Sequence, residues 1–296
     1  MVDYTKKSYA KWILAGEHTV LRGGPALVFP FEKYFIQFGY KSTDAELSLK
    51  VNSSQDAMEM FFWGIVEKAL NMVRKKRADL RGELTIDAQI PIGGGLGSSS
   101  ALCVALMSWF EHLGWIDKND IFSTSREIEH IIHGESSGVD IVGAMSEEGC
   151  LFYKTGELKK LSINWQPNWF ISDCGQKGAT ASCITKVKSI LEKTPDVGKK
   201  IDRLMISSVE MAIEGLALED KEKGYELLAQ SIDLASGAFS QWGLVHGSLK
   251  QHMLDLTKNG AIAVKPTGSG GGGYVLSLWA RPPSPITCDG LGLIKL

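Results

Sequence analysis

A chain of 296 residues with 44% hydrophobic and 22% charged side chains lies well inside the globular range and is long enough for two ordinary domains. Its formal net charge of -2 provides no basic field of the kind that holds nucleic acid by phosphate neutralisation, so no nucleic-acid partner is expected. The five cysteines, Cys103, Cys150, Cys174, Cys183 and Cys288, form no C-x-x-C pair, which argues against a disulfide framework or a zinc site and suits a reducing cytoplasm.

Near the N-terminus Lys6 and Lys7 precede an apolar stretch, but Lys11 interrupts it and Glu17 and His18 follow, so no signal-peptide core is expected. No apolar run approaches the roughly 20 residues that cross a bilayer, and no membrane association is expected. Residues 12–15, 26–31, 34–40 and 47–51 read as short strands separated by turn signals such as Gly23-Gly24-Pro25. A helix is expected over residues 55–78. The basic run from Arg74 to Arg81 at its end reads as a solvated helix terminus rather than a binding patch. Residues 83–90 alternate Leu84, Ile86 and Ala88 with polar neighbours, as a half-buried strand does, and Pro91 ends it.

The run Gly93-Gly94-Gly95-Leu96-Gly97-Ser98-Ser99-Ser100 comes next, and Leu102, Ala105, Leu106, Trp109 and Leu113 then recur at helical spacing. A second helix is expected from about Asp120 to His133, closing into Gly134–Asp140 as a turn. Strands at 150–153 and 169–173 precede a nearly all-helical stretch from Thr180 to Asn259, in which Pro195 breaks the first helix and Gly224, Gly237 and Gly243 mark joints or close contacts. A strand at 261–265, the glycine run Gly268–Gly273 and a strand at 274–279 follow. The class is α+β, with a boundary placed near residues 155–166.

A glycine-rich turn feeding a helix offers free backbone N–H groups and the positive end of the helix dipole, which together make an anion site. Residues 93–100 have this form. They are not a Walker A loop, because serines stand where its lysine would be, so phosphate charge must be met by backbone and metal. A plain glycine turn with a serine cap reads the same way locally. Gly268, Gly270 and Gly273 match G-x-G-x-x-G, yet a strand-like segment follows them instead of a helix, so a dinucleotide-binding motif is rejected. Glu129 and Asp140 flank a helix end and a Ser-Ser-Gly turn, so one can bind metal while the other faces an alcohol. Most carboxylates on helices are merely solvated, and taken alone these two read that way more often than not. His18 and His133 read as hydrogen-bonding residues.

Taken together, these segments resemble the GHMP family of small-molecule kinases. Pro91-x-Gly93-x-Gly95-Leu96-Gly97-Ser98-Ser99-x-Ala101 is similar to the family's phosphate loop, Lys11-x-x-Leu14-x-Gly16-Glu17-His18 to its first motif, and Lys265-x-Thr267-Gly268-x-Gly270-Gly271-Gly272-Gly273 to its third. The resemblance implies a two-domain fold, with a ribosomal protein S5 domain 2-like N-terminal domain over 1–160 and a ferredoxin-like C-terminal domain over 161–296. Within the family, His133–Asp140 and the third motif look most like the branch that phosphorylates mevalonate. Sugar kinases usually carry Asp where Val20 stands, which disfavours galactose.

By that similarity Asp140 is the general base or alkoxide stabiliser and Lys11 pairs with it. Gly93, Gly94, Gly95, Leu96, Gly97, Ser98, Ser99 and Ser100 take the ATP phosphates, and Ser99 with Glu129 hold Mg²⁺. Glu17, His18, Thr180, Thr267 and Gly268 are expected to border the acceptor. Phosphomevalonate, a sugar such as a heptose, or a non-catalytic regulatory role on the same fold are the alternatives, and a homodimer is compatible with the resemblance. Two departures stand out: Tyr9-Ala10 replaces Pro-Gly before Lys11, and the proline-rich tail from Ala280 to Leu296 suggests a missing or reshaped edge element.

Overall fold

The computed structural model describes residues 2–53 and 58–296. Its strands are β1 (Tyr4–Ala15), β2 (Pro25–Glu46), β3 (Ser48–Ser53), β4 (Arg81–Ala88), β5 (Cys150–Tyr153), β6 (Leu158–Lys160), β7 (Asn168–Asp173), β8 (Ala263–Pro266), β9 (Tyr274–Trp279) and β10 (Ile294–Lys295). The helices are α1 (Met58–Met72), α2 (Ser98–His112), α3 (Ile121–His133), α4 (Val139–Met145), α5 (Thr180–Lys193), α6 (Pro195–Ala217), α7 (Lys221–Gln241), α8 (Gly247–Lys258) and α9 (Pro285–Leu291). The fold is α+β. Among the described residues no helix is long and apolar enough to cross a membrane.

The chain forms two compact units, each assembled from separate stretches of sequence. The first takes the N-terminal stretch up to Lys11, together with Pro30–Ile92 and Gly97–Glu147. In it β3 and β4 pair in parallel from Ser48↔Glu83 to Ser53↔Ala88, and β4 lies antiparallel to β2 from Ile36↔Ala88 to Glu46↔Arg81. A parallel pair needs a crossover connection, and α1 supplies it. The alternation along β4 buries Leu84, Ile86 and Ala88, as their spacing predicts. Against them lies α2, buried around most of its circumference, with Trp109 packed on Phe38, Tyr40 and Phe110. A helix with no solvated face is what an apolar run such as Ala101–Phe110 requires.

The second unit comprises Trp12–Phe29, Gly93–Leu96 and Glu148–Leu296. Pro25–Val28 pairs antiparallel with β5, and β5 with β6. A separate antiparallel sheet has the order β10-β7-β9-β8. Its core joins Phe170, Val275, Val264 and Trp279 to Leu249, Met253 and Leu256 of α8. The three-residue link between α6 and α7 makes them an αα-hairpin, and Pro195 begins α6 at a position where its missing N–H is no loss.

Several local expectations are revised. The strands expected at 26–31 and 34–40 are one strand, β2: Pro30 lies between the registers with β5 and β4, where no ladder donor is needed on that side. The helix expected over 55–78 is seen as Met58–Met72; residues 55–57 of that expectation lie outside the described residues. It stops early because Arg74 takes a left-handed φ of 55° and the Lys75 N–H donates back to Leu70 O at 2.9 Å, which closes the helix. Val139 and Asp140, read as the end of a turn, instead begin the short helix α4, and the tail carries both a helix and an edge strand, α9 and β10.

Leu276 in β9 is fully buried opposite Ile171 of β7. Leu276→Ala is expected to cost about 2–5 kcal/mol through lost transfer energy and the cavity left behind, read as a lower urea midpoint of the tertiary signal.

Candidate active site

In the first unit, the chain enters α2 through Gly97, the N-cap, which has a left-handed φ of 78° and no side-chain cap. A Cβ on Gly97 would stand 2.9 Å from Lys11 Cγ, so only glycine lets the lysine pass here. The first N–H groups of α2 are therefore left to a ligand or to water, with the helix dipole behind them. Lys11 is 1% exposed and its Nζ lies 2.9 Å from Oδ1 of Asp140, which is 33% exposed. Asp140 sits in the first turn of α4. That turn is built locally: Ser136 Oγ accepts from Gly138 N–H at 3.1 Å and Ser137 Oγ from Val139 N–H at 3.2 Å.

Successive helix positions point about 100° apart, so the serines of α2 face different partners. Ser100 donates to one carboxylate oxygen of Glu129, and Ser136 donates to the other at 2.5 Å. Ser99 shares a 3.0 Å hydrogen bond with His133 Nε2, and the buried Ser98 Oγ has no partner among the described residues. The hydroxyl on Glu129 is thus that of Ser100, one position beyond the Ser99 expected beside it. Burial, helped by the Asp140 charge, pushes the Glu129 carboxyl up to about 7 against the opposing effects of the two serines and Lys11. Burial also lowers His133 below the usual imidazole range.

A carboxylate flanked by hydroxyls is a hard-oxygen donor set of the type Mg²⁺ accepts. Among the described residues no group of three or more His, Cys, Asp or Glu side chains could hold a metal ion, so an ion at Glu129 would draw its other ligands from phosphate and water.

In the second unit the two glycine runs touch. Gly94 O accepts from Tyr274 N–H at 3.2 Å, and a Cβ on Gly273, whose φ is 79°, would lie 2.5 Å from Gly94 O. The second run feeds β9, in agreement with the rejection of a dinucleotide motif. Thr267 Oγ1 accepts from Ile13 N–H at 2.9 Å and donates to Ile13 O at 3.1 Å. Glu17 pairs with Lys265 at 2.5 Å, with side chains 2% and 0% exposed, and Lys265 also donates to Ile13 O at 3.1 Å.

His18 adopts a left-handed φ of 61°, rare for a residue with a side chain, and donates from Nε2 to Ser269 O at 2.9 Å. Its ring lies edge-on to Phe239 and Trp242, and burial depresses its pKa to about 4. Thr180 opens α5 with Oγ1 3.3 Å from Ser269 Oγ. Of the residues expected to border an acceptor, His18 and Thr180 therefore meet at Ser269, Glu17 is engaged by Lys265, and Thr267 by the Ile13 backbone. Gly268 approaches Gly95: its Cβ would lie 3.1 Å from Gly95 O. Ser136 and Ser269 carry no sequence signal beyond being small and polar. Lys265 does, as a lone lysine in the apolar strand Ala263–Pro266.

The first unit thus offers a glycine-capped helix start beside a buried lysine paired with a partly exposed aspartate, and the second unit a glycine run that leads into a strand. A family model described as the GHMP kinases N terminal domain matches residues 64–148. Over those residues the chain is similar to the GHMP kinases, a family of small-molecule phosphotransferases. It is 29% identical over 302 aligned residues to a mevalonate kinase of Thermococcus sibiricus, covering 94% of this chain and 89% of that protein. Among solved structures it is similar to L. major mevalonate kinase in complex with R-mevalonate, with a TM-score of 0.76 and 18% identity over 99% of this chain and 94% of that one. It is also similar to Lactococcus lactis galactokinase complexed with galactose, with a TM-score of 0.77 and 14% identity over 98% and 89%.

Removing one member of a buried ion pair strands the other charge, whereas removing both does not. Glu17→Gln or Lys265→Met alone is expected to destabilise the protein by about 3–5 kcal/mol, and the double variant to recover part of that loss, as measured by urea denaturation. For Glu129, a folded-state pKa above the unfolded one means that its stabilising contribution is full below the ordinary carboxylate range and is lost as pH rises through about 7. The unfolding midpoint measured in EDTA is expected to fall over that window in the native protein, and Glu129→Gln to lose this slope.

Proposed function

We propose that this chain transfers the γ-phosphoryl group of Mg·ATP to the primary hydroxyl of mevalonate, giving 5-phosphomevalonate and ADP for isoprenoid precursor synthesis in a reducing cytoplasm. The observation that carries this reading is the 2.9 Å pair between buried Lys11 and half-exposed Asp140, beside the glycine-capped start of α2. Phosphoryl transfer asks little covalent chemistry of the protein: it needs the phosphate charge met and an alcohol held in line.

In this reading Asp140 accepts the hydroxyl proton through its exposed oxygen, while Lys11 fixes the carboxylate's orientation and supplies positive charge where the alkoxide forms. The free N–H groups at Ser98–Ser100 and the backbone of Gly93–Gly97 receive the phosphates. Glu129, with the Ser100 hydroxyl beside it, would hold Mg²⁺, which supplies charge neutralisation between the phosphates when bound. His18 and Thr180, joined at Ser269, are the second unit's residues for the acceptor, and Glu17 and Thr267 hold the first and third motifs together within that unit.

Mevalonate is favoured over a sugar because the relative covering most of the chain is a mevalonate kinase and because Val20 offers no hydrogen-bond partner to a sugar hydroxyl. A coupled ADP-release assay with Mg·ATP and mevalonate, phosphomevalonate, galactose, a heptose and homoserine tests it. Release is expected with mevalonate alone, and release with another acceptor overturns the substrate assignment. Asp140→Asn is expected to lower kcat by about 100-fold or more and to leave ATP binding within about twofold, since the lost group acts on the alcohol.

A further inference from the structure

From the second unit we infer that Lys177 is the phosphate-neutralising cation of the first glycine run, a role taken within the loop itself by the lysine of a Walker A sequence. The inference rests on the reading that Gly93–Ser100 receives the ATP phosphates. That run contains no basic residue. Its N–H groups carry only partial charges, whereas the triphosphate of ATP carries several full negative charges.

Lys177 lies near this run: a Cβ on Gly93 would meet its Cδ at 3.7 Å, so its aliphatic stem passes the glycine at the distance of one added methyl group. Its backbone is held on both sides by the second glycine run. Before it, Gln176 O accepts from Gly273 N–H at 2.6 Å, the Gln176 side-chain amide donates to Gly271 O at 2.7 Å, and Gln176 Oε1 accepts from Ser248 N–H at 3.1 Å. After it, Gly178 lies so close to the run that a Cβ there would stand 2.7 Å from Gly270 O. The main chain is pinned and the side chain is exposed.

Other ammonium groups near the glycine runs are already engaged. Lys265 is buried on Glu17, and Lys186 donates to Gly243 O at 2.6 Å. Lys177 forms no ion pair among the described residues. A lysine on a fixed backbone, with a flexible stem near a phosphate loop and no carboxylate of its own, is a point charge placed for an anion.

The test is nucleotide binding without acceptor, by calorimetry and competition, on the native protein, Lys177→Met and Lys177→Arg. Lys177→Met is expected to lose about tenfold or more in affinity for ATP and for inorganic tripolyphosphate, with adenosine affinity unchanged within about twofold, and Lys177→Arg to keep ATP binding near the native value. Unchanged ATP affinity in Lys177→Met overturns the assignment. Equal losses for ATP and adenosine overturn it as well, because they report a collapsed loop. A native protein that binds ATP but leaves mevalonate unphosphorylated overturns the acceptor reading without touching this one, whereas a native protein that binds no nucleotide overturns both.

Discussion

The burial of the Lys11 ammonium constrains the first unit more than any other single interaction. Taking a full charge out of water costs several kcal/mol even after relaxation, and it persists only where an anion meets it in good geometry. Asp140 is that anion, and its position depends on α4 beginning where it does, through the hydroxyls of Ser136 and Ser137. Gly97 is required by the same constraint, because any side chain there would collide with the lysine stem. One ion pair thus ties β1, the start of α2 and the start of α4 to a single geometry, and leaves one face of the aspartate open to solvent.

Glu129 is held differently. Its charge is opposed by burial and by Asp140, and is relieved by Ser100, Ser136 and Lys11. A positive charge brought near this carboxyl would relieve what burial and Asp140 oppose. The neighbouring serines share the work by helical geometry alone: consecutive residues on α2 point to Glu129, to His133 and to neither.

The second unit solves a related problem with backbone. Two glycine runs approach closely enough to exchange main-chain contacts, and the buried Glu17–Lys265 pair locks the strand end that carries His18 to the strand that leads into the second run. Burial keeps His18 neutral, and its backbone takes a conformation that ordinary residues avoid. Strain of this kind survives only where surrounding contacts over-determine it, and the hydrogen bond to Ser269 and the aromatic walls of Phe239 and Trp242 do so here.

The amino-acid sequence by itself determined the α+β class, the strand–glycine–helix order around Gly93–Ser100, the exclusion of a dinucleotide motif after Gly268 and the three glycine-bearing segments that mark a small-molecule kinase. These features are local: periodicity, turn chemistry and motif spacing are written in neighbouring residues. Only the tertiary structure decided that β2 runs unbroken through Pro30, that Arg74 ends α1, that residues 139–145 wind into a helix, and that Glu17 is joined to Lys265 and Glu129 to Ser100. Pairings between residues up to 254 positions apart leave no periodic trace in the chain, because what selects them is the cost of burying a charge or a hydroxyl without a partner.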